Sequence, residues 1–200
     1  MSNNTKEQLL LAAVREFAEK GYQDTTIRRI VDRAGAKNLN AVVYYYGGKE
    51  GLYKAVLNFM FCEAEKFKDD DSMKNFESLT VEEKLTSIIH FLVKAYYSTD
   101  TQLDRDFFNI FIKEAMNPTP FLKEMVEHHL RPGKDLLCSL LREYLGPKVP
   151  QKVIEDCEYS ISAQILYGAL GWTIISRISP DQVPFSDSID DLSNHIVSFT

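Results

Sequence analysis

Residues 25–53 read TTIRRIVDRAGAKNLNAVVYYYGGKEGLY. A short helical period (Ile27, Ile30, Val31, Ala34) runs into Gly35. A second helix follows at once and ends in Tyr44-Tyr45-Tyr46 and Gly47-Gly48-Lys49. Two short helices across a tight glycine turn make a helix-turn-helix, whose second helix enters the DNA major groove. A helix used only for packing has little need of a solvent face holding Arg28, Arg29, Arg33, Lys37, Asn38, Asn40, Tyr44, Tyr45 and Lys49. The stretch reads as a DNA-binding head.

Working outward, Phe17 and Gly21-Tyr22 close a first helix, and Thr25-Thr26-Ile27 opens the second. Ala34-Gly35 makes the turn, and Tyr44 to Tyr53 (YYYGGKEGLY) follows. In this order the elements resemble the TetR/AcrR family of bacterial transcription regulators over roughly residues 5–55. Three features depart from the family's pattern. The stretch from Gly35 to the tyrosines is one residue longer than usual, Tyr45 and Tyr46 stand where His and Phe are commoner, and Gly48 replaces a capping Ser. The last is mild, because Gly at an N-cap costs only a few tenths of a kcal/mol, about the smallest penalty there.

Composition fits that frame. The 200 residues are 44% hydrophobic, enough for one or two cores. The N-terminus MSNNTKEQ is polar, unlike a signal peptide, and no apolar run approaches the ~20 residues of a membrane span. Cys62, Cys138 and Cys157 are isolated, which points to a reducing cytoplasm and away from disulfides or structural zinc. The net charge of −6 is unevenly spread. Residues 1–54 hold nine Lys/Arg against six Asp/Glu, so the head is positive by three and the remainder is −9. A basic head on an acidic body can hold phosphate while the body resists non-specific adhesion.

The pattern predicts an all-α chain of about nine helices, divided into a head (1–50) and a ligand-binding and dimerisation domain (51–200). The first helix spans 6–20, with Thr5 and Gln8 as a capping box and Gly21 as terminator. Helices at 26–34 and 38–45 follow, and a fourth runs from Gly48 to about Phe67. Residues 68–78 (KDDDSMKNFES) are polar and unperiodic, hence a loop. Thr80 and Glu83 cap a helix over 81–98, and another spans 102–116. A helical stretch over 120–145 is interrupted at Arg131-Pro132-Gly133, because proline removes a backbone bond there. Pro150 opens a long helix to Ile178, and the last helix spans 187–200.

Asn38 and Asn40 stand at the start of the recognition helix, where Asn can pair bidentately with adenine. Asn38 can equally cap the helix. Tyr44 and Tyr45 can bond phosphates or lay their rings on thymine methyls and sugars, and Tyr46 is read as core. Lys49, in the first turn of the fourth helix, is the backbone clamp. Thr26 and Arg28 face phosphates from the second helix, with Lys37 in the turn between. Arg29 and Arg33 are read as solvated or paired with Asp32.

For catalysis there is no GxSxG, Walker, GxGxxG, HExxH or EF-hand pattern. The adjacent His128 and His129 point to different azimuths and suit a metal poorly. No cofactor is expected. The aromatic body can leave a cavity among its helices. The family resemblance implies such a pocket, and His90, Arg105, Phe108, Asn109, Lys113 and Gln164 are candidates to orient its ligand. Gly168, beside Ala169, Gly171 and Trp172, permits close helix approach. Ile189, Leu192, Ile196 and Phe199 form a stripe that either closes the core or meets a second copy. The resemblance implies the second, a homodimer through the last two helices of each protomer. It further implies a repressor that binds a palindromic double-stranded DNA operator and is released by a small apolar or amphipathic effector. The rival is a helical ligand-binding or enzymatic protein whose helix-turn-helix is only architectural.

Overall fold

The computed structural model describes residues 2–64, 75–97 and 101–199, all of whose regular elements are helical. Gly21 lies at φ +77°, a left-handed setting that favours glycine, and breaks the helical path of α1 (Ser2–Asp24). The expected capping box at Thr5 does not form, because α1 already runs from Ser2 and Thr5 lies inside it. α2 (Ile27–Arg33), α3 (Asn40–Tyr46) and α4 (Lys49–Ala64) follow. The expected continuation of α4 to Phe67 and most of the 68–78 loop lie outside the described residues.

α5 (Val81–Tyr97) starts where the Thr80 and Glu83 pair predicts, with Glu83 accepting from the Thr80 backbone at 2.8 Å. α6 (Gln102–Met116) begins with a second capping box, Thr101 with Asp104. The 120–145 stretch is cut as expected, into α7 (Leu122–Met125) and α8 (Arg131–Leu145). A π-helical turn, Val126–Leu130, separates them just before Pro132, whose missing N–H suits the first turn of α8. α9 (Gln151–Ile178) and α10 (Ile189–Phe199) finish the chain.

The described helices pack as two units. The first holds α1–α3, α4 through Glu63, α6 and α7. Its core is built on Leu9, Phe17, Ile30, Val42, Leu52, Val56 and Ile110. Tyr53 binds α4 to α6, its hydroxyl donating to the buried Glu114 carboxylate at 2.7 Å. Burial first, then that carboxylate, pushes the phenol well above its ordinary pKa. Glu114 also accepts from the Thr119 amide and hydroxyl, so the α6–α7 linker is held to the same group. Arg15 of α1 reaches Asp106 of α6 at 2.6 Å.

The α3–α4 junction depends on glycine. A methyl on Gly51 would stand 1.8 Å from the Tyr46 carbonyl oxygen, and backbone cannot swing aside as a side chain can. We expect Gly51→Ala to cost at least about 1–3 kcal/mol and to lower Tm by several degrees. Thermal unfolding followed by circular dichroism reads this; an unchanged Tm would mean that the junction yields without cost.

The second unit holds α5, α8, α9 and α10. Here the terminal stripe turns mostly inward. Ile196 is fully buried in the chain's own core with Leu85, Ile89, Leu137, Ile161 and Ile165, and Ile189 and Leu192 pack against that core. An amphipathic helix has one apolar face, and α10 uses it within the protomer. Of the four stripe residues only Phe199 is strongly exposed, at 76%. Gly168 is also internal: a methyl there would lie 2.4 Å from the Tyr97 hydroxyl and 2.6 Å from the Phe185 ring. The half-buried Trp172 sets its ring edge-on to Phe185 at 5.9 Å. α9 carries an outward apolar face as well. Tyr159, Tyr167, Leu170, Ile174 and Ile178 recur at helical spacing, each between 49% and 74% exposed.

Candidate nucleic-acid interface

Local chemistry places the turn between α2 and α3. Thr26 caps α2 by accepting from the Arg29 amide at 3.3 Å. Ala34 continues the helical path, and Gly35 at φ +64° lets the chain reverse. Asn38 then folds its carboxamide oxygen onto the Asn40 amide at 2.9 Å, and the helix proper starts at Asn40. The recognition helix thus begins two residues later than the pattern predicts, with Asn38 as a brace ahead of it. At the other end Gly47 at φ +74° stops α3, and Tyr46 donates to the Lys6 carbonyl at 2.6 Å. Tyr46 is half-buried, tying α3 to the start of α1.

α2 is held to α1 around one buried carboxylate. Glu16, 2% exposed, accepts from Nε of Arg29 at 2.9 Å and Nε of Arg33 at 2.7 Å. Arg33 also donates to Glu19 at 2.9 Å. The partner expected for these arginines, Asp32, is their neighbour in sequence; Glu16 lies a helix away. Burial pushes the Glu16 carboxyl up, but the two guanidiniums outweigh it and hold the group below its ordinary value.

A depressed folded pKa means stability that is present above the unfolded value and lost as pH falls through the folded one. We therefore expect the head to loosen as pH drops below about 4.5, the ordinary glutamate value. Glu16→Gln should remove that part of the acid sensitivity. At neutral pH it should cost about 1–2 kcal/mol, since both arginines are partly exposed and their bonds are discounted for solvent. Urea unfolding of the variant and parent at several pH values measures it. Parallel pH curves would assign the acid sensitivity to other carboxylates.

The sequence-predicted contact residues surround α3. Arg28, Lys37, Asn38, Asn40 and Tyr44 are exposed, Tyr44 at 82%. Tyr45 is half-buried and meets Tyr44 edge-on, 4.9 Å between ring centres. Lys49 folds back: its ammonium donates to the Gln23 carbonyl at 3.2 Å and sits 4.6 Å from the Tyr22 ring centre. Burial there holds its pKa down, with Asp24 offsetting part of the shift. Leu39, the N-cap of α3, and Val43 within it are two further candidates that residue type does not single out. Leu39 and Val43 are 49% and 56% exposed, four residues apart on one face. The sequence carries no signal that separates them from Val42, the one residue of α3 that is buried.

The ligand candidates fall in both units. His90 and Gln164 lie half-buried in the second, where Gln164 donates to the Ser160 carbonyl. On α6, Phe108 and Lys113 are half-buried, whereas Asn109 and Arg105 are exposed. Arg105 reaches Gln102 at 3.4 Å. Among the described residues no His, Cys, Asp and Glu group of three or more is placed to hold a metal. No described helix is long and apolar enough to cross a membrane.

The head matches the model of bacterial regulatory proteins of the tetR family over residues 9–56. Residues 81–200, more than half the chain, match the C-terminal domain of the HTH-type transcriptional dual regulator CecR. The chain belongs to the TetR family. It is a transcription regulator with a helix-turn-helix, which sets aside the enzymatic rival. Among its TetR-type relatives, the probable regulator YttP of Bacillus subtilis is 24% identical over 161 residues, 78% of this chain and 74% of its own. HlyIIR, a hemolysin II transcriptional regulator, shares the fold with a TM-score of 0.63 at 21% identity, over 100% of this chain and 98% of its own. FadR from Bacillus subtilis, solved in complex with stearoyl-CoA, does so at 0.64 and 15%, over 97% and 98%.

Proposed function

We propose that this TetR-type chain is a dimeric cytoplasmic repressor that reads a palindromic operator and is released by a small amphipathic effector. The observation that carries the proposal is the exposed arc of α3, with Asn40 and Tyr44 outward, Asn38 bracing its start, and Arg28 and Lys37 exposed nearby. Asn40 reads a base edge, worth about 1–3 kcal/mol of discrimination. Thr26, Arg28, Lys37, Tyr44 and Lys49 hold phosphates, and Tyr45 supports Tyr44. Residues 1–50 act as the reading head and residues 51–200 as the ligand-binding and dimerisation part.

The dimer forms through the exposed face of α9. Five large side chains at helical spacing make an apolar patch that a second copy covers by two-fold symmetry. Two heads then present recognition helices about 34–36 Å apart, or a multiple of one DNA turn. For the effector, the fold shared with FadR, which was solved with stearoyl-CoA, recommends acyl-CoA thioesters as the first amphipathic class to try. Such a ligand acts only if it prefers one head spacing over the other; tight binding alone shifts nothing.

An electrophoretic mobility shift on the chain's own upstream intergenic DNA tests this, repeated with short- and long-chain acyl-CoAs. The expected result is a retarded band of dimer mass that one chain length dissolves. No retardation overturns the proposal, and a retarded band indifferent to every thioester removes acyl-CoAs as effectors.

A further inference from the structure

α3 turns about 100° per residue, and its N-cap Leu39 already has helical backbone angles, so Leu39 to Tyr46 sort by direction. Val42 faces the core with no exposure, and Tyr46, four residues on, leans the same way toward Lys6. The outward arc carries two interleaved pairs: Leu39 with Val43, and Asn40 with Tyr44. One pair is polar. The other is aliphatic and about half exposed, where a core has no use for it. A β-branched valine on an exposed helix face gains no packing and has poor helix propensity. Its partner therefore lies outside the chain.

The major groove offers one apolar group, the C5 methyl of thymine. We propose that Leu39 and Val43 are specificity-determining residues that read thymine methyls in each operator half-site. The proposal rests on the assignment of α3 as the recognition helix. At 1.5 Å rise per residue the two side chains stand about 6 Å apart along the axis, near two base-pair steps of about 3.4 Å. The thymines they read are thus about two steps apart. The same arc gives Asn40 to an adenine edge beside them, so the half-site is rich in A·T pairs where α3 enters.

The test uses the full-length chain and a duplex enriched by it from a random 30-base-pair library. Each thymine is replaced in turn by deoxyuridine, which removes only the methyl. Two positions per half-site should lose about fourfold in affinity per methyl, near fifteenfold when both half-sites are changed. Val43→Ala should weaken binding to the thymine duplex and erase the difference between thymine and uracil at one of those positions. Leu39→Ala should do so at the other. Both residues are exposed, so the variants keep the parent's circular dichroism. If no duplex is enriched, the DNA-reading assignment itself fails. If a duplex is bound but uracil is accepted everywhere at full affinity, methyl reading is overturned and the regulator stands. A Val43→Ala loss that is equal on thymine and uracil duplexes overturns it as well.

Discussion

Ile174→Asp combined with Ile178→Asp should give a helical monomer that no longer holds a palindromic operator, whereas Ile196→Asp should lose the fold. The three residues look alike in sequence: isoleucines on the apolar stripes of the last two long helices. Their surroundings differ. Ile174 and Ile178 are 62% and 74% exposed, so an aspartate at either is hydrated in the separate chain. In a two-fold dimer four carboxylates would enter one apolar interface, each costing several kcal/mol, of order 2–7, unless protonated or paired. Ile196 has no exposure at all. Truncating such a side chain costs about 2–5 kcal/mol, and burying a carboxylate in its place costs more, together approaching the whole stability of a domain. Sedimentation reads the mass, circular dichroism the helices, and mobility shift the operator affinity, expected to fall by more than about a hundredfold as one half-site is lost. A double variant that still dimerises moves the interface off α9. An Ile196→Asp protein of normal Tm would contradict the packing of α10.

That contrast marks where the sequence could be read and where it could not. Period and punctuation located the elements well: Gly21 breaks α1, Thr80 and Glu83 cap α5, and Pro132 opens α8 after a π turn. These are local rules, each decided within a few residues. Periodicity also found the stripe on α10, but an apolar face has the same period whether it meets its own core or a second copy. Arg29 and Arg33 failed for a related reason. Asp32 was the near candidate, and the buried Glu16, 13 and 17 residues back, is the actual partner because α1 and α2 cross there. The start of α3 slipped because Asn38 spends its carboxamide on a turn, which a propensity count reads as helix. The exposed polar arc around α3 was legible from residue types, since Lys37, Asn38, Asn40 and Tyr44 have no core to enter. Leu39 and Val43 were not, because in sequence an exposed aliphatic is indistinguishable from a core one.

The ion pairs also determine how binding should respond to salt. Of the head's positive charges, Arg15, Arg29 and Arg33 are committed to Glu16, Glu19 and Asp106. Drawing Arg29 and Arg33 away to a phosphate backbone would strand the nearly buried Glu16 carboxylate, so they stay. Arg28 and Lys37 are exposed, and Lys49 rests on a carbonyl and a tyrosine ring, ties weak enough to exchange for a phosphate. Three cations per head make about six phosphate contacts per dimer. Counterion release then gives a slope of log K against log salt near −5, about a thousandfold loss for a fourfold rise in salt. Arg28→Gln, Lys37→Gln and Lys49→Gln should each remove two contacts per dimer and flatten the slope by about 2, weakening all sequences alike. Arg33→Gln should leave the slope near −5 while lowering the head's stability. Fluorescence anisotropy on one operator duplex across a salt series measures all four. A slope that flattens for Arg33→Gln but not for Lys49→Gln would exchange their roles, making the arginine the phosphate clamp and the lysine a brace.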